Sequence, residues 1–155
     1  MSDQRGTDGV RSGSGDTRPP DSPVITEPVR LLVPLVLTFG LYTAFHGTSS
    51  VGGGFQGGVV VAAGLILLAF AFGVTKTRDW LDRPAMVALA TAGVIAIVAV
   101  AAGPLAFGGT FFDLSAYPFP KAVVYGIELV ELGIATTVAA TVLLLFLELA
   151  GGDDA

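Results

Sequence analysis

Hydrophobic residues along the chain are grouped into four long runs, separated by shorter polar or glycine-rich connections. The runs cover about residues 29–45, 55–73, 85–107 and 122–150. A helix rises about 1.5 Å per residue, so about 20 residues cross the roughly 30 Å of membrane hydrocarbon. None of the runs shows the alternation typical of a membrane β-strand. The pattern therefore predicts an all-α integral membrane protein with four transmembrane helices.

The two ends of the chain differ from these runs. Residues 1–28 are rich in Gly, Ser, Thr, Asp, Arg and Pro, which predicts a disordered polar tail. Residues 151–155 are predicted to form a short acidic C-terminus. The first apolar run begins only after Glu27, whereas a signal peptide has its apolar core near the start, so we expect no secretory cleavage.

Basic residues predict the orientation in the membrane, because they are enriched in cytoplasmic connections. If the N-terminus is cytoplasmic, the outer connections contain one basic residue, Lys121. All the other basic residues then lie on the inner side: Arg5, Arg11, Arg18, Arg30, Lys76, Arg78 and Arg83. The sequence thus predicts a multi-pass protein of the cytoplasmic membrane with both termini in the cytoplasm.

Composition narrows the possible functions. Hydrophobic residues make up 52% and charged residues 14% of the chain, against about 25% charged residues in soluble domains. The net charge of −5 does not suit nucleic-acid binding, which needs a basic surface. The chain has no cysteine and one histidine, which excludes thiolate and multi-histidine metal sites. These totals favour a membrane protein, and we predict no metal and no cofactor.

A glycine-rich segment joins the first two runs, comprising Gly52, Gly53, Gly54, Phe55, Gln56, Gly57 and Gly58. Its Gly-x-Gly-x-x-Gly spacing also occurs in dinucleotide-binding proteins, but there it follows a strand in a βαβ unit. Here a membrane helix precedes it. We interpret the segment as a structural glycine loop whose exposed backbone lets another helix approach closely.

Three ionisable residues inside or beside the spans are candidates for an ion path. Glu128 and Glu131 share one face of the fourth span, about 9 and 13 Å from its start, so Glu131 is expected near the midplane. An ionised carboxylate there is costly unless it is paired or hydrated, which indicates a functional site. Alternatively, both are protonated and hydrogen-bond to Thr91, Thr136 or tyrosines to hold helices together. His46, at the outer end of the first span, either relays protons or donates to a backbone carbonyl.

Two further acidic residues are expected at the ends of spans. Glu148 should emerge at the cytoplasmic interface, where a charge costs little, and we assign it no chemistry. Asp113 in the outer connection either caps a turn or lies at an ion entrance, and Asp readily bonds to nearby backbone.

The sequence resembles the B-type subunits of the Mrp/Mnh family of multisubunit sodium/proton antiporters. The resemblance extends from Leu31 through His46 and the glycine segment into the alanine-rich second span. The segment Val130-Glu131-Leu132-Gly133-Ile134 is similar to an acidic segment of that family. The resemblance as a whole covers about residues 29–150. Two positions depart from the family pattern: Val51 replaces a proline, and Glu131 replaces an aspartate but keeps the carboxylate.

The resemblance implies a small subunit of a large membrane complex that exchanges protons for sodium ions. Its partners would be the other subunits and the lipid bilayer. In that family pumping is ascribed mainly to larger subunits, and the B-type chain supports assembly and activity. The resemblance therefore implies a non-enzymatic subunit with no catalytic residue of its own. Two alternatives stay open: a related subunit in the membrane arm of a hydrogenase-type respiratory complex, and an autonomous small channel or transporter.

Overall fold

The computed structural model describes residues 23–47 and 52–150, and in these ranges it contains helices and turns but no strand. The helices are α1 (Pro23–Phe45), α2 (Gly53–Phe72), α3 (Val74–Trp80), α4 (Arg83–Ala102) and α5 (Ala122–Ala150). Two 3-10 turns, Gly103–Phe107 and Leu114–Ala116, lie between α4 and α5. Four helices are long and apolar enough to cross a membrane. The predicted fold class is confirmed.

Helix α1 begins at Pro23, so the prediction of a disordered tail is wrong for residues 23–28. A proline in the first helical turn lacks only an N–H group that would have no partner there. The helix then continues through Pro28 and Pro34, and Glu27 pairs with Arg30 one turn later at 3.4 Å. The rest of the predicted tail, residues 1–22, and the predicted C-terminus, residues 151–155, lie outside the described residues.

Most of the glycine segment is helical, which corrects the prediction of a loop. Gly52 precedes the helix with a φ of 89°, and α2 begins at Gly53. Glycine costs about 1 kcal/mol relative to alanine inside a helix, so the glycine-rich composition of this segment indicated a loop. Here close packing favours it: a Cβ on Gly57 would lie 2.6 Å from the Gly40 carbonyl oxygen, and one on Gly58 would lie 2.6 Å from that of Ala135. Neighbouring helices occupy the space that side chains would need.

The sequence reasoning missed the short helix α3. Gly73, with a φ of 99°, ends α2, and α3 starts at the next residue. The Arg78 guanidinium donates to the Leu147 carbonyl oxygen at 2.8 Å, near the end of α5 where carbonyls lack helical partners. Arg83 Nε lies 3.3 Å from a carboxylate oxygen of Glu148. Glu148 therefore lies at the same end of the molecule as these basic residues.

The long helices are neighbours in the order α1, α2, α5, α4, because α2 packs against α1 and α5, and α4 packs mainly against α5. Small residues bring α4 and α5 together: a Cβ on Gly93 would lie 2.6 Å from the Gly133 carbonyl oxygen. The Thr137 hydroxyl donates across the same interface to the Ala90 carbonyl at 3.1 Å. Ala63 and Ala92, by contrast, are exposed. Helix α5 thus packs against both α2 and α4.

The connection between α4 and α5 is fixed by side-chain hydrogen bonds. Asp113 accepts from the Ser115 backbone N–H at 3.2 Å and caps the second 3-10 turn, as one of the two sequence interpretations expected. The Tyr117 hydroxyl donates to the Val100 carbonyl oxygen at 3.0 Å, near the end of α4. The first bond stabilises the connection itself, and the second joins it to the end of α4.

Candidate functional site at an intramembrane carboxylate

The Glu131 carboxylate of α5 caps the start of α2. Its Oε2 accepts a hydrogen bond from the Gly54 backbone N–H, 77 residues away in the sequence. The first hydrogen bond within α2 runs from Gln56 N to Gly52 O at 3.1 Å, so the Gly54 N–H has no partner inside its own helix. Gly52 has no side chain to cap the helix, and a residue of another helix does so instead. A negative charge at a helix N-terminus is also favoured by the helix dipole.

Two glycines, Gly47 and Gly54, leave space for Glu131, and a third, Gly53, packs directly against Gly47. A Cβ on Gly47 would lie 2.8 Å from Glu131 Cδ, and a Cβ on Gly54 would lie 2.9 Å from the Glu131 carbonyl carbon. A Cβ on Gly53 would lie 2.8 Å from the Gly47 backbone nitrogen. Each of these distances is shorter than side chains tolerate, so the close contact between the α1–α2 connection and α5 depends on glycine.

The second carboxylate oxygen of Glu131, Oε1, receives no hydrogen bond from the described residues. Within residues 23–47 and 52–150, the Gly54 N–H is the one hydrogen-bond donor to this carboxylate, and it bonds to Oε2. Glu131 is half-buried, and the described residues include no fully buried side-chain oxygen that lacks a partner, so Oε1 is not fully buried. It can accept a proton, a cation or a hydrogen bond from another molecule.

Glu131 lies at different distances from the starts of the two helices that it connects. The carboxylate is level with the first turn of α2 and not with its middle. Helix α5 begins nine residues earlier at Ala122, so it extends about 13 Å beyond this level. Gly53 and Gly54 therefore lie at the level of Glu131, which is the tenth of the 29 residues of α5. The expectation that Glu131 lies near the midplane of the membrane stays a prediction.

The other two candidates have different surroundings. Glu128 lies one turn closer to the start of α5 and is half-buried. It makes no hydrogen bond or ion pair with any of the described residues. His46 follows the last residue of α1, is exposed, and stacks on Tyr42 with ring centroids 5.1 Å apart. The structure therefore gives Glu131 a defined hydrogen bond that it does not give Glu128.

The threonines that the sequence offered as partners are used elsewhere. The Thr91 hydroxyl donates to the Val87 carbonyl, and the Thr136 hydroxyl donates to the Leu132 carbonyl, both at 2.8 Å within their own helices. The partner of Glu131 is instead a backbone amide that sequence reasoning missed. The available signal was the start of α2, where consecutive glycines offer no side-chain cap.

Among the described residues, no three His, Asp or Glu side chains group as metal ligands. The fold and the site define a class: a four-span membrane protein in which a carboxylate on one span caps the start of another.

Comparisons with known proteins give the family. Residues 24–144 match a family described as a domain related to the MnhB subunit of Na⁺/H⁺ antiporter. A Staphylococcus haemolyticus protein named as antiporter subunit mnhB2 is 34% identical over 136 residues, which covers 84% of this chain and 96% of that protein. Proteins with the same name from Staphylococcus epidermidis and Staphylococcus aureus strain Newman are 32% and 31% identical, each over 83% of this chain and 94% of theirs. The chain belongs to the MnhB family of Na⁺/H⁺ antiporter membrane subunits.

Proposed function

We propose that this subunit supports assembly of a multisubunit Na⁺/H⁺ antiporter and that Glu131 forms part of the path for protons or sodium ions. One observation carries the proposal: Glu131 is anchored to α2 through Oε2, while none of the described residues donates to Oε1. The anchored oxygen fixes the carboxylate between two spans. The other oxygen, Oε1, is the one proposed to take up and release a proton or a cation.

The surroundings of the carboxylate couple its charge to helix packing. The Gly54 N–H donates to the same carboxylate that is proposed to bind the ion. An N–H bonds more weakly to a neutral acceptor than to an ionised one. A change of charge at Glu131 would therefore loosen the contact between α2 and α5, which connects ion binding with the conformation of the subunit.

A cap that only stabilises the fold is the competing explanation, and substitution separates the two. In the Glu131→Gln variant, the amide oxygen can still accept from the Gly54 N–H, but the side chain no longer titrates. We expect normal yield of the complex and antiport lowered by about tenfold or more, since a positioned proton-transfer group contributes a hundredfold or more in other proteins. Glu131→Ala should lower the yield as well, because the α2 cap is lost.

The control is Glu148→Gln on the same helix. Glu148 is half exposed and pairs with Arg83, and such a pair contributes little. We expect unchanged yield and antiport in this variant. The complex is quantified after purification in mild detergent, and antiport is measured in vesicles. Unchanged antiport in Glu131→Gln would reduce Glu131 to a structural cap, and loss of the complex in that variant would assign it to assembly alone.

The proposed location is the cytoplasmic membrane, with both chain ends in the cytoplasm. The contacts of Arg78 and Arg83 with the end of α5 support this orientation, because they gather basic residues at one end of the molecule. Arg30 lies at the same end, since its guanidinium is 5.5 Å from the centre of the Phe72 ring at the end of α2. Lys121 lies at the opposite end, next to the start of α5.

Exposed apolar side chains support the proposal that other subunits and lipid surround the chain. Leu31 and Leu35 on α1 are 71% and 61% exposed, and Ile95 on α4 is 61% exposed. Surfaces of this kind are covered by lipid or by protein in a membrane.

A further inference from the structure

A groove lies where α2 meets α3, at the end of the molecule that carries the basic residues. It has a volume of about 350 Å³ and is lined by Leu68, Phe72, Lys76, Thr77 and Trp80. Leu68 and Phe72 belong to the membrane-spanning helix α2, whereas Lys76 and Trp80 belong to α3 beyond Gly73. The groove is therefore apolar on the side of the membrane core and cationic on the side of the interface.

The charges around the groove favour an anion. Lys76 is exposed, and no Asp or Glu is among the lining residues. The Thr77 hydroxyl is used on the Gly73 carbonyl at 3.0 Å. The guanidinium of Arg30 lies 5.5 Å from the centre of the Phe72 ring, and it pairs with Glu27.

A neighbouring groove shows what distinguishes this one. The second groove, of about 400 Å³, contains Arg78 and Arg83 but also Asp82 and Glu148. Its positive charges are already engaged, since Arg78 bonds to the Leu147 carbonyl and Arg83 pairs with Glu148. Lys76, by contrast, forms no ion pair with any residue that the structure describes.

The shape and polarity of the groove at Lys76 match an amphiphile. A soluble anion would leave the apolar side chains of Leu68 and Phe72 unused, and an apolar partner helix would bury Lys76 without a counter-charge, which is costly. Trp80 is 83% exposed, and tryptophan is typical of the level of lipid headgroups. Basic pockets on the cytoplasmic side of membrane proteins bind anionic lipid headgroups.

We propose that this groove binds an anionic phospholipid, with the phosphate on Lys76, an acyl chain on Leu68 and Phe72, and Trp80 at the glycerol level. Arg30 contributes to the positive potential without being the main contact, because it also pairs with Glu27 at 3.4 Å. The inference does not depend on the role of Glu131, since the groove lies at the opposite end of α2.

Photo-crosslinking tests the inference on the assembled complex. The complex is placed in nanodiscs that contain a photoactivatable phosphatidylglycerol or phosphatidylcholine, and adducts on residues 68–80 are quantified by mass spectrometry. We expect about fivefold more labelling by phosphatidylglycerol, the ratio that corresponds to about 1 kcal/mol for one basic residue near an anionic surface. Excess inorganic phosphate should not reduce the labelling.

The chain offers a matched control, because Lys76 and Lys121 are its two lysines and lie at opposite ends of the spans. Lys76→Gln should remove the preference for phosphatidylglycerol, Lys76→Arg should keep it, and Lys121→Gln should leave it unchanged. Equal labelling by both lipids, or a preference that survives Lys76→Gln, would overturn the proposal. Competition by inorganic phosphate would reveal a soluble-anion site instead, and protection of the segment from both lipids would show that another subunit covers the groove.

Discussion

Gly54→Ala is the smallest change that challenges the contact between α2 and α5. The added Cβ would lie 2.9 Å from the Glu131 carbonyl carbon and closer still to the carbonyl oxygen. Ordinary contacts begin at 3.4 Å, so α5 would have to move away by about half an ångström or more. Two of the three obstructing atoms are backbone atoms of Glu131, which cannot rotate aside, and the third is the Oε2 that accepts the hydrogen bond. The same shift lengthens the hydrogen bond from Gly54 N to Glu131.

Two opposing contributions decide the sign of the effect. Alanine improves helix propensity by about 1 kcal/mol relative to glycine. Overpacking costs about 1–3 kcal/mol, and losing a hydrogen bond to a charged group costs about 1.5–3 kcal/mol more. We therefore expect a net loss of about 2 kcal/mol or more, and a still larger loss for Gly54→Val.

Thermal unfolding of the complex in detergent and the yield of assembled complex measure this loss. Ala63→Val is the matched control, because Ala63 is exposed on the same helix. We expect Gly54→Ala to unfold several degrees lower than the wild type and Ala63→Val to stay close to it. Equal or greater stability of Gly54→Ala would refute the packing argument, since helix propensity would then outweigh the contact.

Two further predictions concern the α4–α5 connection and the orientation. Tyr117→Phe should lower the stability of the chain by about 0.5–1.5 kcal/mol, because the hydroxyl donates to the Val100 carbonyl, while antiport should be unaffected; unchanged thermal unfolding would contradict this. The chain has no cysteine, so single reporters at exposed positions, Thr75→Cys and Thr110→Cys, can be labelled in intact cells with an impermeant maleimide. We expect labelling at position 110 and not at position 75, and the reverse pattern would invert the proposed topology.

Hydropathy predicts the spans well because the membrane imposes a simple length and composition. The predicted fourth span, residues 122–150, has the bounds of α5, and the predicted third span, residues 85–107, corresponds to α4 and the 3-10 turn that follows it. Helix α3 was missed because it is seven residues long and contains three charged residues, so neither its length nor its hydropathy is typical of a span. Its formation depends on tertiary contacts such as that of Arg78 with α5.

The site was predictable only in part. An acidic residue inside a span draws attention by its cost, so Glu131 was found from the sequence alone. Its partner was not found, because Gly54 is 77 residues away and contributes a backbone N–H, which every residue except proline possesses. The glycines were interpreted as a loop because glycine has a low helix propensity. Only contacts that are distant in the sequence, with Gly40 and Ala135, explain why α2 contains them.

The most direct test of the account compares ion flux by the isolated chain with flux by the complete complex in liposomes. A subunit whose carboxylate acts within a larger path should not transport ions alone. We predict Na⁺-dependent proton flux from vesicles that contain the complex and none above background from vesicles that contain this chain alone. Flux of similar size from the isolated chain would contradict the account and identify an autonomous transporter.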